Sequence, residues 1–387
     1  MSTDTEHLPA NDIEAAIEAA IAPGPNGDEV NSKVPHHMVD SRHVPAERYY
    51  SREFFELEKK HLWPKTWQMA AREEEIPHPG DFVEYEIVGQ SLLIVRQPDG
   101  TIKALHNACR HRATELGKGC GRFPGNQIGC PFHGWRWKTD GSISHVFGRE
   151  GFDPDTINPS DINLREAQCQ TWAGMVWINM DLDAPSLLEA LFPAANILER
   201  MGVQNMQAKW WKEAIINCNW KLAQEAFFEG WHVKQTHPQL YTYVDDADSE
   251  QNKMNSAYTP FINGHGRFQS GDARTSYGGT ADFLQSARNL ANGQDAMTLP
   301  QDVTIFESVA GDMDTSTPEY TQKALQALFA FWEGAGIPAP ALTPEVMKQW
   351  GGDIHLFPNY LMLPMYTNCL VYRVRPYNDD PDWCRFE

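Results

Sequence analysis

The sequence predicts an α+β protein in two parts, an all-β domain followed by a mixed domain. Three observations predict this. Residues 63 to about 180 read as short strands punctuated by turns, two helical patterns flank them near 51–59 and 220–235, and strands return between His355 and Arg375. Taken in order, residues 1–42 are rich in Ala, Glu, Pro, Asn and Asp and read as a flexible leader, with Asp12–Ala22 a short helix that frays. Ser51 is a capping residue, and Phe54, Phe55 and Leu57 follow at helical spacing, so 43–62 reads as an N-terminal helical segment packing on the second domain. From Trp63 the period changes. Asp81–Ile87 alternates, Ser91–Val95 is an apolar run, and Pro98-Asp99-Gly100 is a turn, giving a β domain over 63–180 that closes near Trp177-Ile178-Asn179.

The second domain, 181–387, is mixed. Leu187–Met201 reads as a helix, and Trp210–Ile216 as a strand. Asn219 caps a helix that runs to about Gln235 and must end near Pro238. Residues 240–300 are rich in Gly, Asn, Asp and Ser and read as long binding loops. Thr321–Glu333 is helical again, and His355–Arg375 reads as two strands joined through Pro364.

Composition narrows the class. Among 387 residues, 41% are hydrophobic and 22% charged, the balance of an ordinary globular protein. A net charge of −20 excludes a nucleic-acid partner, which needs clustered Lys and Arg. No run of about eighteen apolar residues offers a membrane span. The first ten residues lack the basic-then-apolar order of a signal peptide, and seven Cys is an odd count with no disulfide framework, so a cytoplasmic location is expected.

Two motifs carry chemistry. Cys109-Arg110-His111 is followed, after eighteen residues, by Cys130-Pro131-Phe132-His133. Each loop supplies one thiolate and one imidazole, the ligand set of a Rieske [2Fe–2S] cluster, in which one iron takes two Cys and the other two His. A Cys2His2 zinc site is the competing reading, but zinc fingers usually pair Cys with Cys and His with His. The second motif comprises Glu225, Glu229, His232 and His237 on the predicted helix and just past its end. Glu229 and His232 are three apart and share a helix face. His232 and His237 are five apart, about 140° around an ideal helix, and Pro238 lets the last turn open and bring them together. Two His and a carboxylate with open positions suit a non-haem Fe(II) oxygenase.

With these motifs in this order, the chain resembles the large (alpha) subunits of Rieske non-haem iron aromatic ring-hydroxylating oxygenases. The resemblance covers about residues 45–387 and is carried by Cys109-Arg110-His111, Cys130-Pro131-Phe132-His133-Gly134-Trp135, and Asn219-Trp220-Lys221-Leu222 leading to His232 and His237. It implies a Rieske domain followed by a helix-grip (Bet v 1/START-like) catalytic domain with an antiparallel sheet and a mononuclear Fe(II). It implies electrons from NAD(P)H through a reductase, usually by way of a ferredoxin. A homotrimer or an α3β3 assembly follows, with Glu229 bridging to His133 of the adjacent subunit. The implied activity is O2-dependent hydroxylation, in first place cis-dihydroxylation of an aromatic compound. Monooxygenation or demethylation of a quaternary ammonium substrate is the alternative, because members with that activity tend to place Glu, not Asp, at the bridging position. A non-enzymatic Rieske electron carrier is a third reading.

The resemblance also implies a third iron ligand, an Asp well downstream of a Phe-Pro-Asn segment. Phe357-Pro358-Asn359 is present. Asp353, Asp379, Asp380 and Asp382 read as turn or loop residues beside Gly, Pro and Asn. The expectation is a third ligand beyond Glu387. Arg110, Arg112, Lys118 and Lys138 lie near the two cluster loops as a docking surface for an acidic electron donor, while Trp135 and Trp137 are expected to wall the cluster. Tyr241, Phe261, Phe268 and Phe283 are candidate pocket aromatics.

Overall fold

The computed structural model describes residues 10–21, 44–153, 157–230, 232–237, 257–269, 282–293, 297–340 and 352–387. These fall into two compact units. The first comprises 47–187, 207–220 and 375–387, and the second 1–46, 188–206 and 221–374.

The first unit contains the predicted strands. A seven-stranded antiparallel sheet has the order β1-β10-β9-β4-β3-β2-β5, with β1 Gln68–Arg72, β2 Asp81–Ile87, β3 Gln90–Arg96, β4 Ile102–His106, β5 Cys120–Arg122, β9 Glu166–Trp172 and β10 Met175–Asn179. A three-stranded sheet, β6 Gln127–Gly129, β7 Arg136–Lys138 and β8 Ile143–His145, stands beside it. Leu93, Val95 and Leu105 from the large sheet and Ile128 and Trp137 from the small one share a core that also takes in Cys109 and Cys130. The cluster loops are therefore anchored in this core through their Cys residues. The helix Arg52–His61 starts at Ser51, whose hydroxyl accepts the Phe54 N–H at 3.3 Å. Its inward face is Phe55 and Glu58, while Leu57 is exposed. Glu58 is inward because its carboxylate accepts the Trp220 indole N–H at 3.1 Å. Residues 207–220 and 375–387 cluster with this unit, and within it β11 (Ala214–Ile216) pairs with β17 (Asp380–Phe386).

The second unit is built on an antiparallel run of strands. β12 (Ala257–Pro260), β13 (Gly266–Gln269), β14 (Ile354–Leu356), β15 (Tyr360–Pro364) and the start of β16 (Cys369–Tyr377) pair in that order. The region 240–300, read as loops, holds the β12–β13 hairpin and the helix Phe283–Gly293. The hairpin was illegible because it tolerates polar residues on its exposed positions. Phe283 belongs to a helical core, 5.0 Å from the Phe306 ring and 6.2 Å from Tyr320, rather than to a pocket. Phe261 is buried, Phe268 is half-buried, and Tyr241 lies outside the described residues. The single helix expected over 187–201 is two, Leu187–Leu191 and Ala194–Arg200, separated at Pro193. In the leader, the helix Ala10–Ile21 buries Ile17 and Ala20, three apart on one face, and the rest of 1–42 lies outside the described residues.

Candidate metal centres

Both cluster loops adopt one backbone design. Cys109 N–H donates to the Thr114 carbonyl and the Cys109 carbonyl accepts from Ala113, each at 2.8 Å. Cys130 repeats this pattern with Trp135 at 2.8 Å and Gly134 at 3.1 Å. The fourth residue after each Cys is left-handed, Ala113 at φ 58° and Gly134 at φ 71°. Glycine takes that conformation freely, and Ala113 does so only against a steric cost. The backbone N–H groups two and three residues after each Cys point at its sulfur, His111 and Arg112 at Cys109, Phe132 and His133 at Cys130. Burial pushes the Cys109 thiol up. At Cys130 burial acts the same way but is outweighed by those two N–H groups, which hold it below the usual thiol range.

The imidazoles form a separate pair. His111 Nδ1 and His133 Nδ1 are 3.2 Å apart, so both rings present the same nitrogen to one point. Trp135 stacks on His111 at 5.1 Å and 12°, and Phe132 covers His133 at 4.0 Å. Cys109 and Cys130 are buried, at 5% and 4% exposure, whereas His111 is exposed. Two buried thiols beside a pair of imidazoles, one exposed and one half-buried, fit the split ligand set of a [2Fe–2S] cluster.

Residues beyond the predicted ligands hold this loop in place. Asn107 accepts the Leu116 and Gly117 N–H groups at 2.8 and 3.0 Å and donates to the Gly117 carbonyl at 2.7 Å. Its amide also donates to Ser91 Oγ at 2.9 Å and to Glu84 at 3.2 Å. No spacing rule singles out this Asn, and only the fold shows that it ties the segment after the first ligand pair to β3. Trp137 is buried and donates to the Ile162 carbonyl at 2.8 Å. Arg110 donates to the Asp161 carbonyl at 2.9 Å, while Arg112, Lys118 and Lys138 are exposed.

The second candidate centre differs from expectation in its backbone. The helix Trp220–Glu225 gives way to one 3-10 turn, Ala226–Phe228, and Glu229 is extended at φ −145° and ψ 162°. Only a short helix, Val233–Thr236, follows. The helix breaks where Phe227 and Phe228 both pack on the sheet and Gly230 removes helix propensity. Glu229 and His232 thus meet by a cap rather than by a shared helix face. One carboxylate oxygen accepts the His232 N–H at 3.2 Å, and the other is hydrogen-bonded to His232 Nδ1. The His232 carbonyl accepts from Thr236 N at 2.9 Å and Gln235 N at 3.0 Å. His232 is therefore fixed at backbone and ring, with Nε2 left for a metal, the carboxylate–histidine arrangement that orients metal-bound imidazoles. The His237 ring lies 5.7 Å from that of His232, and both are half-buried. Glu225, the last residue of the helix, is half-buried before this turn.

Asp353, read as a turn residue, instead adjoins β14. Its carbonyl accepts the Phe268 N–H at 2.9 Å, so the ladder continues through it. Asp379 is a turn residue, left-handed at φ 56°, with its carboxylate on Lys59 and Arg52.

A family profile described as a Rieske [2Fe-2S] domain matches residues 66–151, and one described as the ring hydroxylating alpha subunit (catalytic domain) matches 199–387. The carnitine monooxygenase oxygenase subunit of Escherichia coli K12 is 33% identical over 201 residues, 50% of this chain and 52% of that protein. The anthranilate 1,2-dioxygenase large subunit of Acinetobacter baylyi is 29% identical over 222 residues, 55% of this chain and 45% of that protein. The chain spans about half the length of these curated relatives. The solved structure of a quaternary ammonium Rieske monooxygenase shares the fold, with a TM-score of 0.58 at 18% identity, over 89% of this chain and 73% of that one. Among the described residues no helix is long and apolar enough to cross a membrane.

Proposed function

From the premise that this chain belongs to the Rieske ring-hydroxylating oxygenase large subunits, we propose that it is the terminal oxygenase of a multicomponent system acting on a quaternary ammonium compound. The observation that carries the oxygenase reading is the presence, in one chain, of the paired Cys/His loops and of His232 held by Glu229 ahead of His237. A chain serving only as an electron carrier has no use for the second set.

When bound, the [2Fe–2S] cluster stores one electron and the mononuclear Fe(II) activates O2. The chain's own residues do the rest. Cys109 and Cys130 would hold the cluster from the buried side, and the exposed His111 and half-buried His133 would hold it from the other. Arg110, Arg112, Lys118 and Lys138 give that side of an acidic chain its positive charge, suited to an acidic ferredoxin or reductase. Glu229 orients His232 through Nδ1, and its carboxylate is 38% exposed, which places it within reach of His133 of the partner subunit in a homotrimer or α3β3 assembly. His232 and His237 would supply two ligands of the iron.

Two observations favour the quaternary ammonium class over aromatic dihydroxylation: Glu at position 229, and the carnitine monooxygenase subunit among the relatives. The anthranilate dioxygenase large subunit supports the aromatic reading as the second choice. The balanced reaction of the first is RH + O2 + two electrons + two protons giving ROH and water, and hydroxylation on a carbon bound to nitrogen ends in an aldehyde and a tertiary amine. The test is turnover of the full chain with a surrogate ferredoxin, reductase and labelled O2, offering carnitine, glycine betaine, benzoate and anthranilate separately. Amine and aldehyde from a betaine, with one labelled atom, is the expected result. A doubly labelled cis-diol from an aromatic acid, with no betaine turnover, would replace it.

A further inference from the structure

The sheet of the second unit carries a buried carboxylate with one oxygen that no described residue hydrogen-bonds. Asp353 continues β14 and shares a strand face with His355, two residues on. Its Oδ1 is covered and has no hydrogen-bond partner among the described residues. The same face is aromatic. His355 lies opposite Leu361, and Leu361 opposite Tyr372, whose ring is 4.2 Å from that of Phe227. The Phe228 ring is 4.8 Å from both Tyr258 and His355. Tyr258 reaches His355 Nδ1 at 3.1 Å by crossing over Gly266, where a Cβ would sit 2.2 Å from the Tyr258 hydroxyl oxygen. Phe227 and Phe228 immediately precede Glu229, so this aromatic face abuts the turn that presents His232.

A second covered acceptor stands on the helix entering that turn. Gln224 Oε1 has no partner among the described residues, while Gln224 Nε2 and His355 Nε2 meet at the Pro358 carbonyl, at 3.0 and 3.3 Å. Both unsatisfied groups are acceptors, so a donor or a positive charge would satisfy them. Burial pushes the Asp353 carboxyl up to about 7, and burial together with that carboxylate pushes the Tyr372 phenol up as well. A cation placed here would relieve both effects, and aromatic faces add attraction for a quaternary ammonium that offers no N–H.

We propose that Asp353 is the specificity-determining residue that reads the substrate's positive charge, pairing with a quaternary ammonium head beside Phe227 and Tyr372. The inference rests on the quaternary ammonium reading above. It is tested by calorimetric binding of two probes to the full chain: γ-butyrobetaine, and its isostere in which carbon replaces the quaternary nitrogen. The wild type is expected to prefer the cation by about tenfold or more. Asp353→Asn should lose that preference, with isostere binding unchanged or improved, and Asp353→Glu should keep part of it. The visible spectrum of the cluster reports that each variant is folded. If the Asn variant is unfolded, the Glu variant and the wild-type preference decide. Equal binding of the cation by wild type and the Asn variant, or equal loss of both probes, overturns the assignment of Asp353 alone. Wild-type binding of benzoate or anthranilate with no affinity for the cation overturns the substrate reading along with it.

Discussion

The two candidate metal centres are built in opposite ways. The cluster site rests on strands: two loops of one backbone design, each closed by a pair of hydrogen bonds around its Cys and tied into a core of Leu93, Leu105, Ile128 and Trp137. The second rests on a broken helix, where a carboxylate cap at Glu229 substitutes for helical continuity. The first site is over-determined by backbone and packing, so its geometry survives loss of many single contacts. The second depends on one side chain to orient His232. A reservoir of electrons gains from rigidity, whereas a site that must admit O2 and substrate needs open positions.

Substitutions can break this contrast, and the largest effect is expected at the cluster. Cys130→Ser should abolish cluster loading, with visible absorption and labile sulfide both at background, because a buried hydroxyl cannot replace the thiolate. His232→Ala should bring oxygenation to background while leaving the cluster's absorption at its wild-type level. Loss of the cluster in that variant would contradict the independence of the two sites.

Glu229→Gln tests the weaker construction. Its expected effect is a loss of about 10- to 100-fold in retention of the mononuclear iron, measured by dialysis against a graded chelator series. Rieske absorption should not change. Asn107→Ala probes the stronger one and should destabilise the chain by about 2–3 kcal/mol, since it strands the Leu116 and Gly117 N–H groups. Denaturant unfolding followed at the cluster band measures it.

The smallest effect is a pH dependence at the edge of the β domain. The Arg122 guanidinium beside Asp81 holds its carboxyl below the usual carboxylate range, against a smaller opposing effect of burial. A native value below the unfolded one adds stability above the ordinary Asp value, and that increment disappears as pH falls through the native one. Arg122→Ala should therefore lose a small increment of stability at neutral pH and converge with the wild type as the pH falls through the native Asp81 value, read by denaturant unfolding across that pH range.

Legibility from sequence follows the same division. The strands around the two Cys/His loops were readable because each depends on local spacing and period. Trp135 packs on His111, where a dry shell around those loops calls for an aromatic. Ala113 was not, since a left-handed alanine is imposed by closure of its loop and by nothing in its side chain. The break after Glu225 was missed because Trp220–Gln235 has acceptable helical residues, and only the demand that Phe227 and Phe228 both meet the sheet disrupts it. The pairing of Glu229 with His232 was anticipated by spacing, yet it arises by capping. Asp353 looked like a loop residue beside Gly351 and Gly352, and its place at the end of a buried strand needed the register with Phe268.

The segregated Cys and His pairs are suited to hold a two-iron cluster. Anaerobic determination of iron, zinc and acid-labile sulfide in the purified full chain tests it most directly. The prediction is two inorganic sulfides per chain, with two irons that persist in His232→Ala. Zinc in place of iron, or iron without labile sulfide, would contradict it.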